Sequence, residues 1–452
     1  MFKKWFGKKE TIIKNVFSSN IKENYDLIIH IGAPKTGSSA LQKFLLENRK
    51  VLEDEGYFYP IHGLDKNGIS GGHSILAIAL LENRIEDAKE IYINWENEAR
   101  ANKKILFLSS ESFFNLSDKL KNIIDDKRVL IISYQRDIIE YLVSVHNQLV
   151  KRHFSTVRFE EYIDLLLKNR NNTANLVNKS FSKIYDEWAK NMGSENVIVK
   201  SYDSKLFFKN RIEMDLLSIL NIDYSKFKLK DKLTNISYTN NTLELKRMIN
   251  YILDRENTKL NHRIDMALQH YSEMNFKKSK KKIPLTETSL KKLKEFILED
   301  EKIVNKKYLK IEKIEKNYLL VNNSIKDEEL KKILKYLQKD KEIEEYLVYQ
   351  IKNKLKLKNN LQYSIFKLAE LLDIPNLVQY EKEQDEPWFS QKQLENMANG
   401  KYKAADFLRD ISILLKDKGD IKNAKDLINK AYEIRPHGTY IVKLKEEMDE
   451  MI

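Results

Sequence analysis

Residues 32–39 bring two glycines, a lysine and three hydroxyl side chains together in the short segment Gly-Ala-Pro-Lys-Thr-Gly-Ser-Ser. A turn between a strand and a helix binds phosphate, because unpaired backbone N–H groups and the positive end of the helix dipole attract an anion. Gly32 and Gly37 let the backbone approach a ligand closely, and Pro34 stiffens the turn. The segment therefore predicts a phosphate-binding loop in which Lys35 supplies a positive charge.

The hydroxyl groups and the position of the lysine define what this loop can bind. Thr36, Ser38 and Ser39 add hydroxyl donors. The common NTPase loop, G-x-x-x-x-G-K-[ST], has its lysine directly after the second glycine. Here Lys35 precedes Gly37, and a serine stands where that lysine belongs. The loop is thus a poor match to an ATPase, although a phosphate site remains predicted.

A second candidate anion site lies within residues 129–148. Arg136 follows an apolar run and offers a planar fork of N–H donors that suits phosphate. Asp137 is placed to cap the helix that begins there. Ser144 lies seven residues beyond Asp137, on nearly the same helical face. Taken singly, Arg136 also fits a surface ion pair and Ser144 an ordinary helix serine.

Short apolar runs predict the strands that position these side chains. The runs lie at residues 26–31, 57–59, 104–109, 128–133 and 196–200. Helical patterns lie between them, at residues 38–50, 73–83, 137–152 and 183–192. Continuous apolar runs are typical of strands buried on both faces of a parallel sheet. Because strands and helices alternate, the sequence predicts an α/β domain with a P-loop-like parallel sheet flanked by helices.

The loop at residues 30–42, His-Ile-Gly-Ala-Pro-Lys-Thr-Gly-Ser-Ser-Ala-Leu-Gln, resembles the 5′-phosphosulfate-binding loop of one enzyme family. That family is the sulfotransferases dependent on PAPS (3′-phosphoadenosine 5′-phosphosulfate), especially bacterial carbohydrate sulfotransferases. Arg136 followed by Ser144 is similar to the family's 3′-phosphate-binding element. Tyr202, in Ser-Tyr-Asp-Ser, resembles the segment that approaches the nucleotide base. The resemblance covers residues 24–312.

This resemblance implies a reaction in which a sulfuryl group passes from PAPS to a hydroxyl group. Sulfuryl transfer is similar to phosphoryl transfer, so catalysis is mostly positioning and electrostatic stabilisation. Lys35 is expected to stabilise the bridging oxygen of the leaving nucleotide. The loop residues that are expected to hold the 5′-phosphate are Thr36, Gly37, Ser38 and Ser39. No metal is expected, and the sequence has neither a Mg²⁺-binding Ser/Thr after a Walker lysine nor a Walker-B aspartate.

The acceptor hydroxyl needs a nearby base. Glu111 follows a predicted buried strand, at the edge of the sheet where α/β proteins bind ligands, and family members use Glu or His in this role. A helix-capping glutamate is the alternative interpretation. His73, in Gly-Gly-His-Ser, is the rival base or an acceptor contact, although a loop histidine is more often structural.

The chain is expected to have three parts: a basic N-terminal segment at residues 1–23, the sulfotransferase-like domain at residues 24–312 and a helical C-terminal domain at residues 313–452. Residues 406–435 predict a helical hairpin that resembles a single tetratricopeptide-type (TPR) unit. Such units normally need about three copies to be stable, so a simple packed helical pair is the alternative.

Composition limits the function classes. The 452 residues are 42% hydrophobic and 33% charged, with a net charge of +13, which favours anionic partners. The absence of cysteine excludes disulfides, zinc-thiolate sites and cysteine nucleophiles. No apolar run reaches the roughly 18 residues typical of a membrane span. We therefore expect a cytoplasmic protein, and the basic N-terminal segment could contact an anionic membrane at its inner face through Phe2, Trp5 and Phe6.

The expected partners are a carbohydrate or glycolipid acceptor, such as a precursor of a bacterial surface polysaccharide, and a protein bound by the C-terminal helices. Two other classes are open. A P-loop kinase would need a lysine after Gly37 and a Walker-B acid, which are missing. A basic scaffold or nucleic-acid-binding protein would fit the charge, but basic residues are mixed with acidic ones rather than gathered into a motif. We therefore expect no nucleic-acid partner.

Overall fold

A computed structural model gives the fold of most of the chain. It describes residues 21–65, 68–124, 127–168, 180–229, 238–275, 283–310, 318–320, 326–356, 362–374, 403–417 and 420–450. The predicted N-terminal segment therefore lies outside the described residues, apart from its last three positions. The chain divides into two compact units, one of residues 1–250 with 259–336 and one of residues 251–258 with 337–452.

Five parallel strands form the sheet of the first unit. They are β1 (Leu27–His30), β2 (Tyr57–Phe58), β3 (Ile105–Ser109), β4 (Val129–Gln135) and β5 (Val197–Ser201). The order across the sheet is β2-β3-β1-β4-β5, and every pairing is parallel. Since all five strands lie at the predicted apolar runs, the predicted α/β fold with a parallel sheet is confirmed.

Helices cover both faces of this sheet. The helices of the first unit are α1 (Ile21–Asn24), α2 (Ser38–Glu47), α3 (Arg49–Asp54), α4 (Ser74–Leu81), α5 (Ile85–Ala101), α6 (Ser117–Lys121), α7 (Ile138–Arg152), α8 (Phe159–Lys168), α9 (Phe181–Met192), α10 (Ile212–Ile219), α11 (Asn240–Ile249), α12 (Thr258–Asn275), α13 (Glu287–Ile303) and α14 (Asp327–Leu337). A π-helical turn, Val304–Leu309, continues α13. The predicted helix at residues 38–50 is interrupted at Asn48, whose side-chain amide donates to the Phe44 carbonyl at 2.9 Å.

Alternate residues of the central strand face opposite cores. Leu27 and Ile29 pack with α4, α5, α7 and α9 on one face. Ile28 packs with α2 and α10 on the other. Burial on both faces explains why the strands are continuous apolar runs.

The carboxyl ends of the strands meet at one edge of the sheet, because the strands are parallel. His30 at the end of β1 is in register with Ser109 at the end of β3, and Gln135 of β4 with Ser201 of β5. In the sheet, β2 and β3 lie on one side of β1, and β4 and β5 lie on the other side. Such a reversal of strand order opens a crevice beyond the strand ends, where α/β proteins bind ligands. The glycine-containing loop lies at this point.

The second unit is helical in its described part, as the sequence predicted for the C-terminal region. Its helices are α15 (Lys341–Lys356), α16 (Tyr363–Leu371), α17 (Ala404–Asp417), α18 (Ile421–Ile434) and α19 (Thr439–Glu450). α17 and α18 form the predicted hairpin, and the buried face of α18 consists of Ala424, Ile428 and Ala431. The second unit consists of residues 251–258 and 337–452, whereas α14 packs in the first unit, where Tyr336 hydrogen-bonds His270.

No helix in these described stretches is both long and apolar enough to cross a membrane.

Candidate active site

The loop after β1 has a backbone that places its peptide groups close to a ligand. Gly32 and Gly37 have φ angles of 102° and 76°, in the region that favours glycine. Lys35 adopts a φ of 67°, which is unusual for a residue with a side chain. A Cβ atom at Gly37 would come within 3.0 Å of the Tyr202 hydroxyl oxygen. The second glycine is thus required both by its conformation and by the neighbouring tyrosine.

The backbone N–H groups of residues 35–39 have no hydrogen-bond partner in the described part of the chain, whereas the N–H of Ala33 bonds the Tyr134 carbonyl. Gly37 precedes the first residue of α2 and provides no side-chain cap. Successive unpaired N–H groups at a helix N-terminus form a site for an anion. The loop therefore presents five unpaired N–H groups at the N-terminus of α2.

The loop hydroxyl groups have different surroundings. The Thr36 hydroxyl donates to the Ala33 carbonyl at 2.5 Å, within the loop. The Ser38 hydroxyl donates to Oε2 of Glu111, also at 2.5 Å. The hydroxyls of Thr36 and Ser38 are therefore already engaged, and the backbone N–H groups are the unpaired donors at these two positions. Ser39 is half-buried at the start of α2.

Arg136 joins the second predicted anion site to the first. Its guanidinium donates to the Lys35 carbonyl at 3.1 Å, pairs with Glu140 at 3.4 Å and lies 5.6 Å from the centre of the Tyr202 ring. Strands β1 and β4 are neighbours, which is why the residues that follow them meet. The lysine loop and Arg136 thus belong to one continuous site.

Helix α7 starts beside Arg136. The Asp137 carboxylate caps it by accepting the Glu140 N–H at 2.9 Å, as predicted, and also accepts the Tyr318 hydroxyl at 2.6 Å. Ser144 is half-buried two turns further along the helix, and its hydroxyl has no hydrogen-bond partner among the described residues. Its hydroxyl is therefore able to bond a ligand.

Tyr202 and a small cavity border Arg136 at the ends of β4 and β5. Burial raises the pKa of the Tyr202 hydroxyl, which Arg136 partly opposes. The cavity, of about 60 Å³, is lined by Arg136, Ser201, Asp203, Leu206 and Glu301 among others. Tyr202, which the sequence predicted to approach the nucleotide base, thus lies next to Arg136, the predicted phosphate-binding residue.

The electrostatic surroundings of Lys35 make its ammonium group easier to deprotonate. Burial is the main cause that lowers the pKa of Lys35. The Glu111 carboxylate raises it, and the positive charges of Arg152 and Arg136 lower it further. Lys35 is therefore close to Glu111, the predicted catalytic base, and to Arg136 and Arg152 at the two ends of α7.

Glu111 lies where the carboxyl end of β3 meets the loop. It begins a short 3-10 turn (Glu111–Phe113) that the Ser110 hydroxyl caps by accepting the Ser112 N–H. The Glu111 carboxylate is therefore left for Ser38 and lies within electrostatic reach of Lys35. This arrangement favours a role in the site over the capping role that the sequence left open.

His73 lies in a different environment from Glu111. Its Nδ1 accepts the Ser109 N–H at 2.9 Å, so Nε2 carries the proton and donates to the Pro60 carbonyl at 3.0 Å. The ring is fully buried against Tyr59 and Trp95. Because both nitrogens are engaged and no face is open, this geometry disfavours His73 as the base and fits a structural histidine.

We expect two fully buried histidines, His73 and His30, to make stability depend on pH. Burial lowers the pKa of His73 to about 3 and that of His30 to about 4. Unfolded histidine binds its proton near pH 6.5, so stability is full above that pH and falls below it, by up to about 1.4 kcal/mol per pH unit for each group. The loss from His73 continues until about pH 3, and that from His30 until about pH 4.

Urea unfolding at pH 6.5 and pH 5 measures this effect. His73→Gln should lose about 2 kcal/mol less than the wild type between these two pH values, since one linked proton is removed. Comparison with the wild type cancels the carboxylates, which titrate in both proteins. Equal losses would show that His73 is already protonated in the folded state at pH 5.

Two basic residues near the loop were not predicted from the sequence. Lys151 and Arg152 end α7, and the charge of Arg152 lowers the pKa of both Lys35 and Lys151. The signal was present, because Ser144, Gln148 and Lys151 follow one another at helical spacing of four and three residues.

The described residues contain no group of three or more His, Asp or Glu side chains that could hold a metal ion. The chain matches no protein-family model, no curated protein and no solved structure.

Proposed function

We propose that this protein is a sulfotransferase that moves a sulfuryl group from PAPS to a hydroxyl group of a carbohydrate. The observation that carries this proposal is the 3.1 Å contact between the Arg136 guanidinium and the Lys35 carbonyl, beside five unpaired N–H groups at residues 35–39. Two anion-binding elements in contact suit a ligand with two separate phosphate groups. PAPS is such a ligand, with one phosphate at its 5′ end and one at its 3′ position.

In the proposed complex, the nucleotide lies along the crevice at the strand ends. The N–H groups of residues 35–39 bind the 5′-phosphate, and Arg136 with Ser144 binds the 3′-phosphate. The Tyr202 ring lies beside Arg136 and contacts the adenosine. An adenosine nucleotide without the 3′-phosphate leaves Arg136 with only its protein partners, so the site selects PAPS over simpler nucleotides.

The proposed reaction is an in-line displacement at sulfur. The acceptor oxygen forms a new bond to sulfur while the bond from sulfur to the bridging oxygen of the 5′-phosphate breaks. Negative charge develops on that bridging oxygen, where Lys35 stabilises it. Its lowered pKa also makes the Lys35 ammonium a better proton donor than an ordinary lysine. The products are the sulfated acceptor and PAP (3′-phosphoadenosine 5′-phosphate).

Glu111 is the proposed base that takes the proton of the acceptor hydroxyl. It lies beside the helix N-terminus that binds the 5′-phosphate, and its bond to Ser38 fixes the orientation of the carboxylate. The Glu111 carboxylate is close enough to Lys35 to oppose the lowering of the Lys35 pKa by burial. A base and a leaving-group stabiliser on adjoining strand ends suit attack from one side and departure on the other.

We also propose where the protein acts and what it binds. The protein acts in the cytoplasm, peripherally at the inner face of the membrane, on a precursor of a bacterial surface polysaccharide or glycolipid. The hairpin of α17 and α18 acts as a TPR-like unit that binds a protein partner. Binding of this partner by the helical unit would bring the P-loop-like α/β domain to its acceptor.

Binding and transfer test this function separately. Calorimetry should show that PAP binds more tightly than AMP, which lacks the 3′-phosphate, and more tightly than ATP. Labelled sulfate should then pass from PAPS to at least one glycan of a surface-polysaccharide panel. Tight binding of ATP without binding of PAP would instead indicate a kinase. Salt-sensitive nucleic-acid binding that Lys35→Ala leaves unchanged would indicate a nucleic-acid-binding protein.

Glu111→Gln tests the proposed base. Glutamine keeps a side-chain oxygen that can accept the Ser38 hydroxyl but cannot take a proton, so kcat should fall about 10²–10⁴-fold. The measurement is the rate of sulfate transfer, with PAP affinity as the control for an intact loop. His73→Gln is the matched comparison and should retain turnover at neutral pH. Near-normal turnover in Glu111→Gln would remove Glu111 from the mechanism.

A further inference from the structure

One face of α7 carries a polar stripe that continues beyond the nucleotide site. Glu140 pairs with Arg136 at one end, Ser144 follows one turn later, and Gln148 follows after a further turn. Lys151 and Arg152 end the helix. Residues separated by three or four positions share a helical face. The face that offers Ser144 to a nucleotide therefore ends in two basic residues.

Lys151 is held in place by groups on other elements. Its ammonium lies 4.0 Å from the centre of the Tyr238 ring and donates to Oε1 of Gln269 at 3.0 Å. The Tyr238 hydroxyl in turn donates to the Asp265 carbonyl at 3.0 Å. Burial lowers the pKa of Lys151 to about 8, with Asp265 opposing and Arg152 adding to the shift. The side chain is thus a positioned cation at neutral pH.

The nearest acids to Lys151 have other partners. Asp265 forms an ion pair of 2.9 Å with the fully buried Lys246. Glu273 accepts the side-chain amide of Gln269 at 3.0 Å. Arg152 is exposed and has no acidic partner within the described residues. Within the described part of the chain, neither Lys151 nor Arg152 forms an ion pair with an acidic side chain.

Gln148 adds a second kind of signal at the same place. Its side-chain carbonyl oxygen is buried and accepts no hydrogen bond from the described residues. A buried acceptor without a donor calls for an explanation, such as a bound water or ion. A sugar hydroxyl would supply that donor, one turn from Lys151.

These basic residues lie close to the reacting end of the proposed nucleotide. Lys35 is the residue proposed to meet the leaving oxygen, and its charge and that of Arg152 each affect Lys151. Bound PAPS would engage Lys35 and Arg136 with its own phosphates and sulfate. Lys151 and Arg152 are not among the residues proposed to bind these groups, and they follow Ser144 by about two turns on the same helix.

We propose that the acceptor is an acidic saccharide, and that Lys151 and Arg152 bind its carboxylate or phosphate group while Gln148 bonds a neighbouring hydroxyl. This inference rests on the proposed function. It narrows the acceptor from carbohydrates in general to those with an anionic group near the hydroxyl that receives the sulfate. A neutral saccharide offers neither cation an anionic partner and is therefore a poor acceptor.

Paired glycan probes test the inference on the full-length protein saturated with PAP. One pair is a hexasaccharide of alternating glucuronic acid and N-acetylglucosamine and its carboxyl-reduced, neutral form. A second pair is a phosphorylated oligosaccharide and its dephosphorylated form, which separates phosphate from carboxylate recognition. At least one acidic probe should bind ten-fold or more tightly than its neutral form, and Lys151→Gln with Arg152→Gln should abolish that preference.

Separate readouts distinguish the failure of this inference from the failure of the proposed function. PAP affinity, measured first, should be within two-fold of wild type in the double variant, because the nucleotide site is intact. Lys190→Gln, an exposed lysine on α9, is the control for loss of positive charge and should keep the acidic preference. Equal binding of both members in each pair would overturn the inference even if PAP binds. A ten-fold loss of PAP affinity in the double variant would also overturn it, since the two cations would then belong to the nucleotide site.

Discussion

Lys35→Ala should lower kcat for sulfate transfer by about 10²–10³-fold, which is the effect of removing one group that stabilises charge in a transition state. The ammonium is proposed to act on charge that develops only as the sulfuryl group leaves. PAP affinity should therefore fall much less than turnover. Single-turnover transfer of labelled sulfate, together with calorimetry of PAP, measures the two effects separately.

The alanine variant tests the amine alone, because alanine and lysine have the same backbone restrictions at a positive φ. Lys35 has a φ of 67°, and alanine meets the same steric restriction there as lysine. Lys190→Ala, on the exposed face of α9, controls for the loss of a positive charge elsewhere. Turnover within three-fold of wild type in Lys35→Ala would remove the lysine from the chemistry and leave only a phosphate-binding loop.

Arg136→Ala should weaken PAP binding by about 1.5–3 kcal/mol, or roughly 10- to 150-fold, as expected for lost hydrogen bonds to a charged group. AMP, which lacks the 3′-phosphate, should bind wild type and variant almost equally. The losses of binding free energy from removing the 3′-phosphate and from removing the guanidinium should therefore not add. Calorimetry of PAP and AMP with the wild type and with Arg136→Ala measures this coupling.

Two further variants define the result for Arg136. Arg128 lies just before β4 and pairs with Asp26 at 2.8 Å, so Arg128→Ala removes the same charge beside the same strand but at the opposite end. It should leave PAP affinity unchanged. Arg136→Lys keeps the charge without the planar fork and should recover only part of the affinity. An equal loss for PAP and AMP in Arg136→Ala would mean that this arginine supports the loop rather than the 3′-phosphate.

Much of the fold could be predicted from the sequence because the strands are buried on both faces. Runs such as residues 104–109 and 128–133 have no polar face, which distinguishes them from surface strands and from the amphipathic helices between them. Helix breaks were harder to predict. The helix after the loop is interrupted at Asn48, whose side chain bonds both Phe44 and the backbone of Lys228, and that distant contact leaves no local signal.

In the candidate site, too, the local loop motif could be predicted from the sequence, whereas the contacts between distant residues could not. The glycine spacing and the lysine of residues 32–37 predicted an anion-binding loop, and the unpaired N–H groups agree with it. The contacts from Arg136 to Lys35 and from Ser38 to Glu111 join residues 101 and 73 positions apart. They arise because β1 lies between β3 and β4, which a single sequence does not specify.

His73 shows why a residue type alone is a weak guide to catalysis. The sequence placed a histidine in the glycine-containing loop Gly-Gly-His-Ser, which left a base or an acceptor contact open. In the fold, the Gly72 backbone packs so closely on the end of β3 that a Cβ atom would lie 2.0 Å from the Ser109 carbonyl oxygen. The histidine that follows is therefore drawn into the interior and pairs with the strand. Backbone packing of this kind has no signature in composition or spacing.

The left-handed backbone at Lys35 has a consequence for how the chain would respond to selection or engineering. An L-residue in this conformation costs about 1–2 kcal/mol relative to its ordinary one, and glycine avoids that penalty. A search for thermostable variants should therefore favour glycine at this position, although the substitution removes the amine. If Lys35 has the role proposed for it, heat resistance and turnover place opposite demands on this residue, and a library screened for folding alone would enrich variants that lack the proposed catalytic amine.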